Sequence, residues 1–169
     1  MPANGSSIAA PKYLKFMVGA AEYAIEVMRI QEILACDTFT QVPGAPPAVR
    51  GVINLRGNVV PVIDLSIRFG GASTEITKIS CVVIVELESQ GEKVVRGLLA
   101  DSVSRVTEIH ADEIRKAPDF GTVVSAGCLK GMTPGSHEGT FVTILNIDGV
   151  FGSELLRASA PESEIEPAA

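Results

Sequence analysis

The residues of this chain best able to do chemistry are two histidines and three cysteines. His110 follows an apolar run and precedes acidic residues, and His137 lies in a Gly/Ser/Pro stretch. Neither has a second His or Cys at the spacing that zinc ligation requires, so no metal site is expected. Cys36, Cys81 and Cys128 lie far apart, and an odd number leaves one without a partner. They read as reduced thiols of a reducing cytoplasm. The Gly-x-Ser-x-Gly turn of a hydrolase nucleophile does not occur. Nor does a Gly-rich phosphate loop ending in Lys and Ser/Thr, or a dinucleotide fingerprint. The acidic residues lack calcium-loop spacing. No catalysis and no cofactor are therefore expected. What stands out instead are single polar residues beside apolar runs: Glu32, Asn54 and Arg56. Taken alone, Arg56 reads as a solvated turn residue, Asn54 as a local brace of that turn, and Glu32 as the solvated side of a helical turn.

The elements that must position them are short and mostly β-type. Tyr13–Val18 alternates, with Leu14, Phe16 and Val18 on one face, and Tyr23, Ile25 and Val27 resume the alternation after a turn. Val27, Ile30, Ile33 and Leu34 then follow helical spacing, which predicts about two helical turns. Gln41–Pro47 holds three prolines and a glycine and reads as a rigid extended loop. Val49–Ile53 and Val59–Ile63 form a hairpin around Leu55-Arg56-Gly57-Asn58, and Pro61 points to an edge strand or a bulge. Asp64 is placed to cap a short helix, Leu65–Phe69, that Gly70 ends. Further strands are expected at Ile79–Leu87, Val94–Ala100, Gly127–Met132 and Thr140–Leu145. Val103, Val106 and Ile109 have helical or irregular spacing, Ala111–Pro118 reads as a turn or short helix, and a helix closes the chain at Ile147–Leu156.

At 169 residues the chain holds one domain or two small lobes with a shared core. Such a length buries roughly 70% of the unfolded surface. The net charge of −6 argues against a nucleic-acid or polybasic membrane binder. No apolar run approaches the roughly 20 residues of a membrane helix, and Met1–Pro11 lacks the pattern of a secretory signal. Segments 1–11 and 157–169 are small, polar or acidic and are expected to be disordered tails.

The sequence also repeats itself. Val27-Met28-Arg29-Ile30-Gln31-Glu32-Ile33 matches Val103-Ser104-Arg105-Val106-Thr107-Glu108-Ile109, with four of seven positions identical. Gly57–Asp64 runs parallel to Gly139–Asn146, and Phe69-Gly70 to Phe151-Gly152. The offsets are 76 and 82 residues, so the second copy carries an insertion between the two matches. Two copies of one β-rich unit are implied. Lobes of about 12–70 and 78–156, with interleaving of strands between them allowed, should pack face to face around 12–156. Their seam is a natural groove for a partner, and Val27–Leu34 and Val103–Ile109 are candidates to line it. Phe69 is expected to be buried.

Val49-Arg50-Gly51-Val52-Ile53-Asn54-Leu55-Arg56-Gly57-Asn58-Val59-Val60-Pro61-Val62-Ile63-Asp64-Leu65 resembles the signature of the CheW family. The upstream Val-x-x-Ile-x-Glu-Ile, the later Gly-Leu-Leu-Ala-Asp-Ser-Val, and Glu113–Pro118 followed by Asp119-Phe120 resemble it too. The resemblance implies a mainly β fold of two SH3-like five-stranded barrels packed together, with short helices at corners and at the C-terminus. It implies a non-catalytic adaptor, cytoplasmic and at membrane-associated receptor arrays, without insertion into the membrane. Its partners would be the cytoplasmic tip of a chemoreceptor and the regulatory domain of a CheA-type histidine kinase. The resemblance leaves open whether the output is flagellar, pilus or another. By position, Ile30, Glu32, Gly51 and Arg56 match family positions involved in receptor coupling, and Val103 and Val106 face the same groove. Val27 joins Ile30, Val103 and Val106 as an apolar anchor for a helical hairpin. Arg56 would offer its planar fork to a carboxylate or carbonyls, and Gly51 would let the partner's backbone approach. Kinase contacts would fall on barrel-end turns near Asn58. An excised kinase regulatory domain and a small enzyme are the other classes. Neither flanking kinase sequence nor a catalytic constellation is present to support them.

Overall fold

The computed structural model describes residues 10–36, 38–118 and 125–157. Ten strands and short helices follow in the order β1 (Lys12–Val18), β2 (Ala21–Glu26), the 3-10 turn η1 (Val27–Arg29), β3 (Ile30–Ala35), β4 (Val49–Leu55), β5 (Asn58–Asp64) and α1 (Leu65–Arg68). Then come β6 (Cys81–Ser89), β7 (Glu92–Ala100), β8 (Ser102–Glu108), η2 (Ala111–Glu113), α2 (Ser125–Cys128), β9 (Leu129–Pro134), β10 (Phe141–Leu145) and α3 (Ile147–Arg157), which is broken at Gly152. Of the expected tails, Pro11 accepts a hydrogen bond from the Ile109 amide and Arg157 belongs to α3. The rest of those segments, from 1 to 9 and from 158 to 169, lies outside the described residues, as do Asp119 and Phe120.

The strands form two five-stranded sheets, ordered β8-β1-β2-β10-β9 and β3-β6-β7-β5-β4. Each curls toward closure. The chain beyond β3 returns to β4 through a Thr40–Val52 bridge, and the chain beyond β8 returns to β9 through Arg115–Met132. The repeat is visible in the two orders, since β8 stands where β3 does, β1 where β6 does and β10 where β5 does. The lobes are nevertheless not 12–70 and 78–156. The hairpin β1–β2 of the first copy sits with β8–β10 of the second, and β6–β7 sits with β3–β5. After β2 the chain crosses through η1 into the other sheet. After β7 it crosses back at Asp101. We call the barrel of β1, β2 and β8–β10 the outer barrel, and the barrel of the continuous stretch β3–β7 the inner one.

Three apolar clusters follow from strand alternation. Leu14, Phe16, Val18 and Ile25 of the outer barrel meet Ile63, Val83, Val85, Leu87 and Leu98 of the inner barrel in a shared cluster, sealed by Leu65, Val150 and Phe151. The opposite faces fill the barrels: Tyr13, Ala24, Val142 and Ile144 in the outer one, Val60, Val62, Val82 and Ile84 in the inner one. Strand β6 is apolar on both faces because both are buried.

The helical expectation at Val27–Leu34 is corrected to one 3-10 turn followed by a strand, and Val103–Ile109 to strand β8. In β3 the reason is a bulge between Ile30 and Glu32 that resets the alternation, and in β8 a register shift between Val103 and Val106, opposite Phe16 and Leu14, does the same. Pro61 lies opposite Val52 in β4, and β5 begins to pair with β7 only at Val62. The first half of β5 is therefore edge-like on its β7 side, where a missing N–H costs no ladder bond. The bulge in that hairpin falls in β4, between Val49 and Gly51. The Asp64 cap is present, its Oδ1 accepting from the Ser66 amide at 3.0 Å. Asp64 is fully buried, and Arg50 at 2.9 Å and the amide and hydroxyl of Thr74, each at 2.8 Å, neutralise and satisfy it.

Candidate functional site

The eight residues singled out by sequence fall into three places. Four of them flank the shared cluster. Val27, Ile30 and Val103 pack against it half-buried. Ile30 is registered with Val85 of β6, Val103 with Phe16 of β1, and Val106 with Leu14 of β1. Strands β3 and β8 are the edges of their sheets, so each presents these side chains where no further strand covers them. Val106 is 52% exposed, and Ile33 of β3, within the stretch Val27–Leu34 expected to line the groove, is 42% exposed. A partly exposed apolar row on each edge strand, with a buried floor between the sheets, suits an apolar helical partner.

Glu32 and Arg56 form the second group. Beyond the bulge Glu32 is registered with Ile84, a residue of the inner barrel's interior, so it faces that barrel and not the shared cluster. Arg56 and Gly57 are the two central residues of the β4–β5 turn, with φ of 53° and 88°. Both lie in the left-handed region, as a two-residue hairpin turn with right-handed twist demands. Gly57 adopts it without strain, while Arg56 does so as a non-glycine. Asn54 braces the turn as expected, its Oδ1 accepting from the Gly57 amide at 2.7 Å. The turn carries Arg56 back to β3, where its Nη2 meets Glu32 Oε2 at 2.6 Å. Arg56 is exposed on the turn, as expected, and the ion pair adds a partner that the turn reading did not include. The ion pair joins the two edge strands of the inner barrel and clasps its end. Its guanidinium side is 68% exposed, so the contribution to stability is within about 1 kcal/mol. Beside it a cleft of about 550 Å³ opens between the first halves of β5 and β7, lined by Arg56, Asn58, Val59, Lys93 and Val95 among others. Asn58 is exposed on its rim.

Gly51 stands apart. It is buried, its φ is 155°, and an added Cβ would meet the Thr40 carbonyl oxygen at 2.7 Å. The backbone that approaches it belongs to the chain itself, in the bridge that closes the inner barrel. Gly131 repeats the device in the outer barrel, where a Cβ would collide with Ile114 and with the Arg115 carbonyl. The need for a bare backbone was legible at Gly51, but the approaching segment is Phe39-Thr40 and not a partner.

One charged group near the site escaped the sequence reading. Arg29, in η1, donates from Nη2 to Asp148 Oδ1 at 2.8 Å and from Nε to the Glu86 carbonyl at 3.3 Å. The bond to Asp148 raises its pKa above the ordinary arginine value despite the opposing effect of burial. Lys130 reaches Glu26, the residue before η1, at 3.2 Å. The signal was present as Arg29 in the repeat, but its acidic partner lies 119 positions away. Burial pushes the Cys81 and Cys128 thiols up, which keeps them protonated. Among the described residues, no three His, Cys, Asp or Glu side chains converge as metal ligands would, and no helix is long and apolar enough to cross a membrane.

Comparison with known proteins places this geometry. The CheW-like domain matches residues 12–155. A chemotaxis protein CheW of Bacillus subtilis is 38% identical over 151 residues, covering 89% of this chain and 93% of the relative. Another, from Klebsiella aerogenes, is 32% identical over 143 residues, covering 85% and 82%. The crystal structure of the scaffolding protein TtCheW from Thermoanaerobacter tengcongensis superposes with a TM-score of 0.75 at 26% identity, covering 92% of this chain and 96% of that one. With the family signature seated on the hairpin that clasps the inner barrel, and the match running through both barrels, the chain belongs to the CheW-like family.

Proposed function

We propose that this protein is a non-catalytic adaptor that couples the cytoplasmic tip of a chemoreceptor to the regulatory domain of a CheA-type kinase, at receptor arrays on the cytoplasmic side of the membrane. The observation that carries the reading is the pair of uncovered edge strands, β3 with the η1 turn before it and β8, presenting Val27, Ile30, Val103 and Val106 around one shared apolar floor. A helical hairpin tip would lay its apolar face against these four anchors. The end of the inner barrel, with Asn58 and its cleft, is the surface offered to the kinase. Strand β3 belongs to both. Ile30 looks toward the shared floor and Glu32 toward the clasp with Arg56, two positions along one strand. A tip that displaces Ile30 therefore moves Glu32, and the clasp beside the kinase surface feels the change. Gly51 contributes by closing the barrel that holds Arg56 in place.

The test is co-elution of the full chain with a CheA regulatory domain and with a receptor-tip fragment, followed by kinase control in the ternary mixture. Binding to both is expected. Ile30→Asp should lose the receptor fragment and keep the kinase domain. Arg56→Glu places two carboxylates together and should weaken kinase control about tenfold with circular dichroism unchanged. The double exchange Glu32→Arg with Arg56→Glu should recover much of it. Binding to neither bait by a folded sample would end the adaptor reading.

A further inference from the structure

The crossover between the barrels carries a side chain that the fold does not use. Met28, in the middle of η1, is 91% exposed, more than any other large apolar residue described. Its neighbours are all committed. Val27 and Ile30 pack against the shared cluster, Glu26 is held by Lys130 of β9, and Arg29 is held by Asp148 of α3 and by the Glu86 carbonyl of β6. Four polar contacts to three elements thus fix a segment of only a few residues, and Met28 is its one outward group.

The second copy shows that the fold requires no apolar group at this position. By the repeat, Val27 corresponds to Val103, Met28 to Ser104 and Ile30 to Val106. Ser104 is a small polar residue in an exposed place, within an otherwise matching pattern. A flexible, polarisable thioether held out between two anchors is suited to an apolar partner whose shape it can follow. Arg29 reaches Asp148 through two N–H groups, at 2.8 and 3.3 Å, so the crossover is set before any partner arrives.

We infer that Met28 is a fifth apolar anchor for the receptor tip, and that Arg29 is a positioning residue that holds the crossover so that Met28 is presented. The inference rests on the groove reading given above. Its occupant is the same apolar helical hairpin, extended by one contact onto the crossover.

The experiment is a double-mutant cycle on the full chain, titrated with a receptor-tip fragment. Met28→Ser, the residue of the second copy, should weaken binding about three- to tenfold and leave the thermal midpoint and kinase-domain binding unchanged. Arg29→Ala should weaken receptor binding by a similar factor. Asp148→Asn, which leaves the crossover sequence intact, should do so more mildly. The Met28→Ser and Arg29→Ala pair should lose less than the product of the single losses, because Arg29 acts through Met28. Unchanged binding by Met28→Ser, with Ile30→Asp still abolishing it, overturns this inference alone. Losses that multiply overturn the positioning role of Arg29. Unchanged binding by Ile30→Asp as well overturns the groove reading and this inference with it.

Discussion

The two barrels share one strand order, yet their equivalent ends differ. In the outer barrel the β9–β10 loop is six residues long, 135–140, and Ser136 bonds to the Glu22 carboxylate through its amide at 3.1 Å and its hydroxyl at 2.6 Å. Strand β10 pairs with β2 from Val142 onward. In the inner barrel the loop is only Arg56-Gly57, and β5 pairs with β7 from Val62, which corresponds to Ile144. The parallel pairing thus begins two residues later, and the cleft occupies the difference. The short turn sends its one long side chain to the other edge strand, and the long loop folds back over the seam. The longer loop reaches Glu22 and seals its end with the chain's own side chains, whereas the two-residue turn leaves the cleft open.

Substitutions at equivalent positions of the two copies test that difference, and those in the core should cost the most. Phe151 is completely buried under the shared cluster, while its counterpart Phe69 is half-buried and touches Tyr23 with ring centroids 5.6 Å apart. Phe151→Ala should therefore cost about 3–5 kcal/mol and Phe69→Ala only about 1–2 kcal/mol in denaturant unfolding. Equal costs would mean the copies bear equal loads. Next, Gly51→Ala and Gly131→Ala should each cost about 1–3 kcal/mol, because backbone on another segment must move to admit the methyl group. If only one is tolerated, the barrels close by different means.

The mildest change belongs to the sealed end. Burial opposes ionisation of Glu22, but the bonds from Ser136, with Lys15 and His137 nearby, outweigh it and hold its carboxyl below the ordinary value. A depressed carboxyl stabilises the fold above its unfolded pKa and loses that contribution as pH falls through the folded one. Glu22→Gln should accordingly flatten the acid limb of the stability curve below about pH 4.3. A change confined to neutral pH would remove Glu22 from the seal.

Much of this was legible from sequence, and the failures have physical causes. Alternation located nearly all the strands, because each buries one face or both. Self-similarity identified equivalent strands, but equivalence says nothing of which strands pair, so the exchange of hairpins stayed hidden. The 3-10 turn and the bulge after Ile30 placed Val27, Ile30 and Ile33 at helical spacing where the chain enters a strand. The chemistry of Arg56 was legible from its fork and its turn. Its partner was not, because Glu32 meets it only when the barrel's two edges come together. The depth of Phe69 was overestimated because its counterpart Phe151 does go fully inside.

The continuous course of the inner barrel, from β3 to β7, has a consequence during synthesis. On the ribosome that barrel can close once Ala100 has emerged. The β1–β2 hairpin, made first, must wait for β10, roughly 120 residues later and on the order of ten seconds at ordinary translation rates. Strand β8 covers the β1 edge earlier, but until β10 arrives the β2 edge stays open and invites wrong pairing. The shared apolar floor is likewise completed late, because β1 and β2 join it only after the inner barrel has been made.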